Sequence, residues 1–426
     1  MKKLLIAILA LQVTGILFAQ DEHPYLNDMY IGYEAGLGKA KIPSNVSGLS
    51  LSKFDSTFYN SRVFLGKSFN DSLAVEAGYY VGGRFAANLT DYQVQIAGSF
   101  NLYDISFISR PFSNKQLFLT GGMTYGEEII ADTRSSGWGT TAGLGYEIPI
   151  YSNALRFTYR KYISPSRESS NFSSYNLGLV IPFNEKNSNK FQDSNNGKLS
   201  VGLMYSFIAY EEPSIDMKLT GRLNGILFDY DVDKSDASSA KFEARYSQGL
   251  SNYSSPGSGN DYGRANNLLE VRVTKKDLLS KLNLNFPEFY SGIGYRKLDD
   301  DGRGLSSGLD RGYRRTSQYI YIPLGIEKHI VLNNQNVFAK AEYDFFISGD
   351  QKSYLSDTQL DGYTDIKNKQ TSGYGLRGSL SFEKYGWKIV PFIEYWSIGN
   401  SEIVDATWIE PKNSTKEIGL KIFKSF

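Results

Sequence analysis

The sequence contains no cysteine and only two histidines, and these shortages exclude several classes of protein. A secreted chain without cysteine has no disulfide framework, no thiol for lipid attachment, no thiol redox chemistry and no cysteine ligands for zinc. The two histidines, His23 and His329, leave little scope for histidine-based catalysis. No metal site and no other cofactor is expected.

An excess of charge of one sign is also missing, since the formal net charge is +1. Such a balance gives no reason to expect nucleic acid as a partner. After the first 19 residues, no apolar run reaches the length of about 20 residues that a transmembrane helix needs. The chain is instead rich in aromatic residues and glycine, with 31 Tyr, 26 Phe and 41 Gly against 12 Pro.

Residues 1–19 are predicted to be a secretory signal peptide. Two lysines are followed by an apolar stretch from Leu4 to Ala19, which ends in a small residue suited to cleavage. An N-terminal membrane anchor is the alternative. Gln12 and Thr14 interrupt the stretch, and it is short for a spanning helix, so the signal peptide is favoured.

The mature chain shows alternation with a period of two residues rather than a helical stripe. The segments are "MYIGYEAGLG" (29–38), "LAVEAGYYV" (73–81) and "LRFTYRKY" (155–162). Each has one apolar face and one face of mostly small or polar residues, among them Gly, Glu and Arg, which is typical of strands in a transmembrane β-barrel. A soluble β-sandwich could also alternate, but it would seldom place Gly and charge so consistently on its second face.

The connections between these segments alternate between short and long. Short turns are predicted at 68–72 and 148–153, and longer polar loops at 39–58, 82–92, 127–137 and 163–174. Outer-membrane barrels have short periplasmic turns and long extracellular loops. Residues 28–183 then hold about eight strands, with both ends in the periplasm.

Five segments in this region resemble the eight-stranded OmpA-type outer-membrane barrel. They are "LGKSFNDSLAVEAGYYVGG", "LFLTGGMTYGEE", "WGTTAGLGYEIPI", "LRFTYRKY" and "NLGLVIPF", in the order found in that family. The resemblance implies an ion-paired lumen at the positions of Glu76 and Arg156, although Thr158 stands where the family has an acidic partner. No segment resembles the peptidoglycan-binding domain that often follows such barrels.

A polar stretch at 184–199 separates two alternating halves and is predicted to be a periplasmic linker. Residues 200–426 contain about ten further strands, so the carboxyl end also lies in the periplasm. The last strand ends on Phe426, as expected of a strand that the barrel-assembly machinery recognises. Pro323 and Pro391 fall inside strands, where they cannot donate to the ladder, and a bulge is expected at each.

The sequence therefore predicts an all-β protein with transmembrane antiparallel β-barrels of about eight and then about ten strands in tandem. The alternative is a single barrel of about 18 strands with a water-filled pore, as in porins. The single barrel would need a short turn at 184–199, yet this segment is several times longer than the other turns.

Charged residues on the inner faces are expected to form ion pairs, because an isolated charge in a narrow lumen is costly. The predicted residues are Glu34, Arg62, Glu76, Arg156 and Arg160 in the first barrel and Glu270, Arg272, Arg296, Glu342 and Arg377 in the second. A gated pore in the first barrel and a narrow hydrophilic passage in the second stay open as alternatives.

Two polar clusters in and beside a predicted outer loop at 299–316 are candidates for ligand contact. Asp299, Asp300 and Asp301 lack the spacing of a calcium loop and are interpreted as a solvated turn. Three arginines beside tyrosines are candidates for contact with lipopolysaccharide phosphates, namely Arg311, Arg314 and Arg315. Ordinary charge in a solvated loop is the favoured interpretation of this cluster.

No enzyme is expected. Small outer-membrane hydrolases, transferases and proteases need a histidine near the outer rim, but His23 follows the signal peptide and His329 falls in a predicted periplasmic turn. The predicted function is that of an integral outer-membrane protein of a Gram-negative cell with a structural or surface-interaction role. A porin-like channel for passive diffusion of small hydrophilic solutes is the alternative.

Overall fold

A computed structural model shows an all-β chain in which long antiparallel strands form two closed sheets. It describes residues 28–41, 45–46, 49–55, 57–89, 95–113, 115–130, 133–150, 153–163, 171–183, 197–235, 238–277, 287–332, 335–384, 386–405 and 407–425. The predicted signal peptide, most of the predicted linker, His23 and Phe426 lie outside these ranges. Within them, no helix is long and apolar enough to cross a membrane.

The first sheet is made by the amino-terminal strands. They are β1 (Met29–Lys41), β2 (Asn45–Val46), β3 (Leu49–Asp55), β4 (Thr57–Asn70), β5 (Leu73–Leu89), β6 (Gln95–Ser109), β7 (Leu117–Ile130), β8 (Thr133–Ile150), β9 (Asn153–Ile163) and β10 (Asn171–Pro182). Eight of them form a closed barrel in the order β5-β4-β1-β10-β9-β8-β7-β6, and pairing of β5 with β6 closes it. The short strands β2 and β3 extend the edge of β5 beyond the barrel.

The second sheet is made by the remaining strands. They are β11 (Gly197–Glu212), β12 (Met217–Ser235), β13 (Ser238–Ser255), β14 (Gly259–Asp277), β15 (Glu288–Leu305), β16 (Arg311–Leu332), β17 (Gln335–Ser353), β18 (Ile366–Gln370), β19 (Gly373–Lys384), β20 (Trp387–Ile398) and β21 (Asn413–Ser425). Ten of them close into a barrel in which β11 pairs with β21 and β16 pairs with β17. The tandem arrangement is therefore confirmed, and the single 18-stranded barrel is wrong.

Residues alternate along each strand between an apolar outer face and an inner face that fills the lumen. In β6, Ile105 and Phe107 point outward and are 57% and 65% exposed, whereas Asp104 and Ser106 are 3% and 0% exposed. Because side chains of a strand point alternately to opposite faces, apolar residues can occupy the outer face while polar residues occupy the lumen. The outer surface thus carries large apolar side chains around both barrels.

The two prolines are accommodated without the expected bulges at their own positions. At Pro391 the register with β19 and β21 is the same on both sides of the proline, and only the local β19–β20 pairing is interrupted. Pro323 likewise interrupts pairing with β15 without a shift, and the nearest shift in β16 lies between Ile320 and Tyr321. A missing N–H removes a ladder hydrogen bond but does not require an inserted residue.

Several predicted loops are wrong because the strands continue through them. β15 reaches Leu305 and β16 begins at Arg311, so most of 299–316 is strand. The same holds for 82–88, which belongs to β5. The stretch 299–304 is polar on both faces, and polarity alone does not distinguish such a strand end from a loop.

Candidate functional site: the two lumens

Both barrels have a terminal end, where their first strand begins and their last strand finishes, and an opposite loop end. Short turns such as 71–72 join the strands at the terminal end, and the longer connection 399–412 lies at the loop end. Layers of side chains fill each lumen between these ends.

The centre of the first lumen is an ion cluster around the carboxylate of Glu76. Arg156 donates to it at 2.5 Å, Arg62 at 2.9 Å and Arg160 at 3.3 Å. The Glu34 carboxylate lies 3.7–3.9 Å from the same three guanidinium groups. All five side chains are fully buried. The structure therefore brings the predicted residues of this barrel together in one cluster.

Two acidic members of this cluster were missed from the sequence. Asp104 in β6 accepts two hydrogen bonds from Arg62 at 2.7 and 2.8 Å. Glu147 in β8 pairs with Arg156 at 2.5 Å, which supplies an acidic partner that Thr158 cannot. Each acid interrupts an apolar alternating segment on the phase that faces inward, and this signal could have found both.

Aromatic layers lie on either side of the ion cluster. Toward the loop end, Phe100 stacks on Phe172 with ring centroids 4.3 Å apart, and Tyr162 stacks on Phe172 at 4.5 Å. Toward the terminal end, Phe64 and Phe118 are 2% and 0% exposed. The first lumen is filled by side chains, as is usual for eight strands.

The second lumen contains a charged layer around Glu394. Its carboxylate lies 3.4 Å from Arg245, 3.5 Å from Arg296, 3.4 Å from Arg377 and 3.5 Å from Lys421. Because four cations share one buried anion, neighbouring acids must balance the remaining charge.

Four further acids supply that balance. Arg377 pairs with Glu270 and with Asp344, each at 2.6 Å. Arg272 pairs with Glu342 at 2.6 Å, and Arg245 pairs with Glu417. All five residues predicted for this lumen lie in the layer. Glu394, Glu417 and Asp344 complete it, and each sits on the inward phase of its strand.

A cavity of about 950 Å³ extends from the charged layer to the terminal end of the second barrel. Nine basic and nine acidic residues line it, so the lining carries no net charge. Lys276 and Lys340 both pair with Glu327, at 2.5 and 2.7 Å. We call this cavity the vestibule. Its ion-paired wall suits a polar, water-filled space.

An aromatic layer closes the lumen on the loop side of the charged layer. It consists of Tyr319, Tyr321, Phe346, Trp396 and Ile398, which are at most 5% exposed. The ring of Tyr321 packs edge-on against Trp396 at 5.0 Å, and its hydroxyl donates to Glu270 at 2.8 Å. The aromatic layer therefore separates the vestibule from the loop end.

A second polar group lies at the loop end, where the connection 399–412 folds over the barrel. The Tyr210 hydroxyl donates to Glu212 at 2.8 Å, and its oxygen lies 3.3 Å from the Glu410 carboxyl group. Arg315 pairs with Glu212 at 2.8 Å. Burial, together with the nearby Glu212 carboxylate, raises the pKa of Glu410 to about 7, although Arg315 opposes this.

The three candidate arginines for lipopolysaccharide contact have different surroundings. Arg314 is 47% exposed and pairs with Asp357 at 2.8 Å. Arg311 donates to the carbonyl oxygens of Thr358 and Gln359. The Arg315 side chain is only 13% exposed and points into the barrel. Only Arg314 has a largely accessible guanidinium.

The predicted acidic turn is part of strand β15, so the interpretation as a turn is wrong. Asp300 lies 3.4 Å from Arg264 and 3.5 Å from Arg315. Asp301 pairs with Arg303 at 2.8 Å, and Asp299 accepts from the Thr316 hydroxyl at 2.6 Å. Within the described ranges, no group of three or more His, Cys, Asp or Glu residues is placed to hold a metal ion.

His329 lies in β16 near the terminal end rather than in a turn, and its ring stacks on Phe338 with centroids 4.9 Å apart. β16 continues to Leu332 and β17 begins at Gln335, so most of the predicted turn around His329 (328–336) is strand.

No family model matches the sequence, and no curated protein matches it either. Solved structures similar to the chain include a bacterial polysaccharide outer membrane secretin, with 6% identity over 94% of this chain and 99% of that chain and a TM-score of 0.29. The P. putida toluene transporter TodX has 9% identity over 96% and 91%, with a TM-score of 0.23. A Pseudomonas aeruginosa FadL homologue has 8% identity over 94% and 90%, with a TM-score of 0.20.

Proposed function

We propose that the chain is a non-enzymatic, integral outer-membrane protein with a structural or surface-interaction role. The single observation that carries this proposal is that buried side chains fill the first lumen and an aromatic layer closes the second. A protein that passes solutes by diffusion needs a continuous water-filled path. The side chains that fill the first lumen and the aromatic layer in the second would each interrupt such a path. Apolar outer faces support membrane insertion, because spanning strands place apolar residues toward lipid.

The loop end supports a role in surface contact. Leu309 is 76% exposed and Ile403 is 64% exposed, and both lie in connections rather than in strands. The rings of Tyr363 and Trp408 pack together 6.2 Å apart on the same side of the barrel. Exposed apolar groups of this kind favour contact with another surface.

In this proposal both barrels keep their termini in the periplasm, which follows from the even strand numbers once the loop ends face outward. Arg314 contacts lipopolysaccharide phosphate, since it is the most accessible of the three arginines. The barrel-assembly machinery recognises the strand that ends at Phe426. The OmpA-like assignment of the first barrel rests on its five sequence segments alone.

The passive channel is the second candidate, and the vestibule is the observation that favours it. Solutes from the periplasm can enter a polar cavity of about 950 Å³, but they then meet the aromatic layer. A channel role would therefore require this layer to open.

A planar-bilayer recording distinguishes the two functions. The intact protein is expected to give no steady conductance, whereas a general diffusion porin in the same bilayer provides the positive control. A variant with Phe346→Ala and Trp396→Ala removes two rings of the aromatic layer and is expected to conduct. Steady ohmic conductance by the parent protein would overturn the structural role in favour of the channel.

A further inference from the structure

The outward faces of the two barrels meet along one side of each barrel. In β4, Tyr59 points outward and is 60% exposed, yet Ser61, two residues further on the same face, is fully buried. The Ser61 hydroxyl donates to the side-chain oxygen of Asn224 in β12 at 2.7 Å. Asn224 is also an outward residue and is 1% exposed. The second barrel therefore covers this part of the first.

The chemistry of this pair is unusual for a face that would otherwise meet lipid. An amide side chain has four hydrogen-bonding positions and is costly in hydrocarbon, where no water can satisfy it. Elsewhere the outward face carries residues such as Ile105 and Phe107. The polar pair is placed where the barrels meet, and the Ser61 hydroxyl fills one acceptor position of the Asn224 amide.

Contacts between the barrels continue at the loop end. Nη2 of Arg84 in β5 lies 2.9 and 3.1 Å from the two carboxylate oxygens of Asp261 in β14. The two side chains are 4% and 2% exposed. The Arg134 guanidinium lies 4.0 Å from the ring centroid of Tyr262. Glycine allows close approach here, because a Cβ at Gly263 would lie 2.2 Å from the Ser99 hydroxyl oxygen.

An apolar cluster joins the barrels at the terminal end. The rings of Phe183 and Trp387 meet edge-on with centroids 5.3 Å apart. Ile181 of β10 packs in the same cluster as Val201 of β11 and Ile389 of β20. Contacts therefore occur at three depths, from the terminal end to the loop end.

We infer that these faces form a lipid-excluding interface and that the two barrels behave as one body in the membrane. The partner that fits the polar outward face of each barrel is the other barrel of the same chain. This inference rests on the proposed membrane location and adds to it. A flexible tether alone would leave Ser61 and Asn224 facing lipid, and their burial argues against that arrangement.

Engineered cysteines test the interface in the intact protein, since the chain has none of its own. The variant Ser61→Cys with Asn224→Cys should form a disulfide on mild oxidation of native membranes, because the two side chains are in direct contact. The matched control is Tyr59→Cys with Phe228→Cys, two exposed outward residues on the same strands. We expect at least about tenfold more cross-linked chain from the first pair than from the control.

Heat-modifiable migration of each variant shows that its barrels are folded. Folded protein without the Ser61–Asn224 cross-link would overturn the interface and leave the membrane role intact. If the protein were instead absent from the outer-membrane fraction of the cells, the proposed function would be wrong. The variant Arg84→Cys with Asp261→Cys repeats the cross-linking test at the loop end. A local structural defect caused by the substitution of Ser61 would then leave the second result unaffected.

A protease site inserted between Phe183 and Gly197 gives an independent measurement. After cleavage, the two fragments should remain associated in mild detergent until they are boiled. Arg84→Asp should weaken that association, and Arg84→Asp combined with Asp261→Arg should restore it. Fragments that separate without denaturant in the parent protein would overturn the inference.

Discussion

Glu76 and Arg156, which lie on strands β5 and β9, face each other across the first lumen with 2.5 Å between their hydrogen-bonded atoms. Neither side chain is exposed. Arg62 and Arg160 approach the same carboxylate, so Glu76 is the anion that three guanidinium groups share. Such a group is expected to matter for stability because removing it leaves buried cations with fewer partners.

The variant Glu76→Ala should destabilise the first barrel by about 3–5 kcal/mol, the usual cost of breaking a buried ion pair from one side. The matched control is Glu127→Ala, since Glu127 pairs with Arg134 at 3.7 Å and both are more than a third exposed. Its effect should stay within about 1 kcal/mol. Urea midpoints in detergent measure both, and an unchanged midpoint for Glu76→Ala would contradict the prediction.

Two adjacent glycines in β7 should respond differently to alanine. A Cβ at Gly122 would lie 2.0 Å from the carbonyl oxygen of Ile105, whereas at Gly121 the nearest atom is 3.8 Å away. Gly122→Ala should cost about 1–3 kcal/mol through overpacking, with a smaller effect for Gly121→Ala. Heat-modifiable migration over a temperature series compares them. Equal transition temperatures for the two variants would show that the strand adjusts.

Membrane depth can be tested with two isoleucines of similar exposure. Ile105 lies on the outward face of β6 and is 57% exposed, and Ile403 lies in a loop-end connection and is 64% exposed. Ile105→Arg should cost about 2–4 kcal/mol if this position meets the hydrocarbon, because arginine is expensive there. Ile403→Arg should be nearly neutral. Unfolding titrations in lipid vesicles measure both, and equal effects would place Ile105 outside the hydrocarbon.

Glu410 should make the loop end of the second barrel sensitive to pH. Its pKa is raised to about 7 in the folded protein, so the folded state favours the protonated form. Stability from this group is fully present below the ordinary pKa of about 4.3 and is lost as pH rises through about 7.

Between pH 5 and pH 8, the parent protein should therefore lose on the order of 2–3 kcal/mol of stability that Glu410→Gln retains. Unfolding of the second barrel can be followed by tryptophan fluorescence at each pH. The same pH dependence in parent and variant would assign the effect to another group. Glu212 and Arg315 contact this region and are left unchanged in the comparison.

The fold and the members of the ion clusters could be predicted from the sequence because inward and outward residues alternate. The pairing within the clusters could not. Arg156 pairs with Glu147 on the neighbouring strand β8. This choice of partner depends on strand tilt and register, which cannot be read from the alternation of residues. Strand ends also could not be predicted, since Asp300 lies in a strand segment that is as polar as a loop.

The barrel interface was beyond sequence reasoning for a different reason. Asn224 shares the outward face of β12 with Thr220, Arg222 and Phe228, and its partner Ser61 is 163 positions away. Nothing local links the two. Alternation within each strand predicts that Ser61 and Asn224 face outward, but it does not indicate that the two side chains contact each other.

Each barrel closes within its own continuous stretch of chain, because β1 pairs with β10 and β11 pairs with β21. Neither barrel borrows a strand from the other. The strand pairing within each barrel therefore does not determine which barrel comes first in the sequence. A circularly permuted gene that encoded residues 197–425 ahead of residues 28–183 would specify the same strand pairs. Relatives with the halves exchanged would share this architecture while failing to align with this chain from end to end.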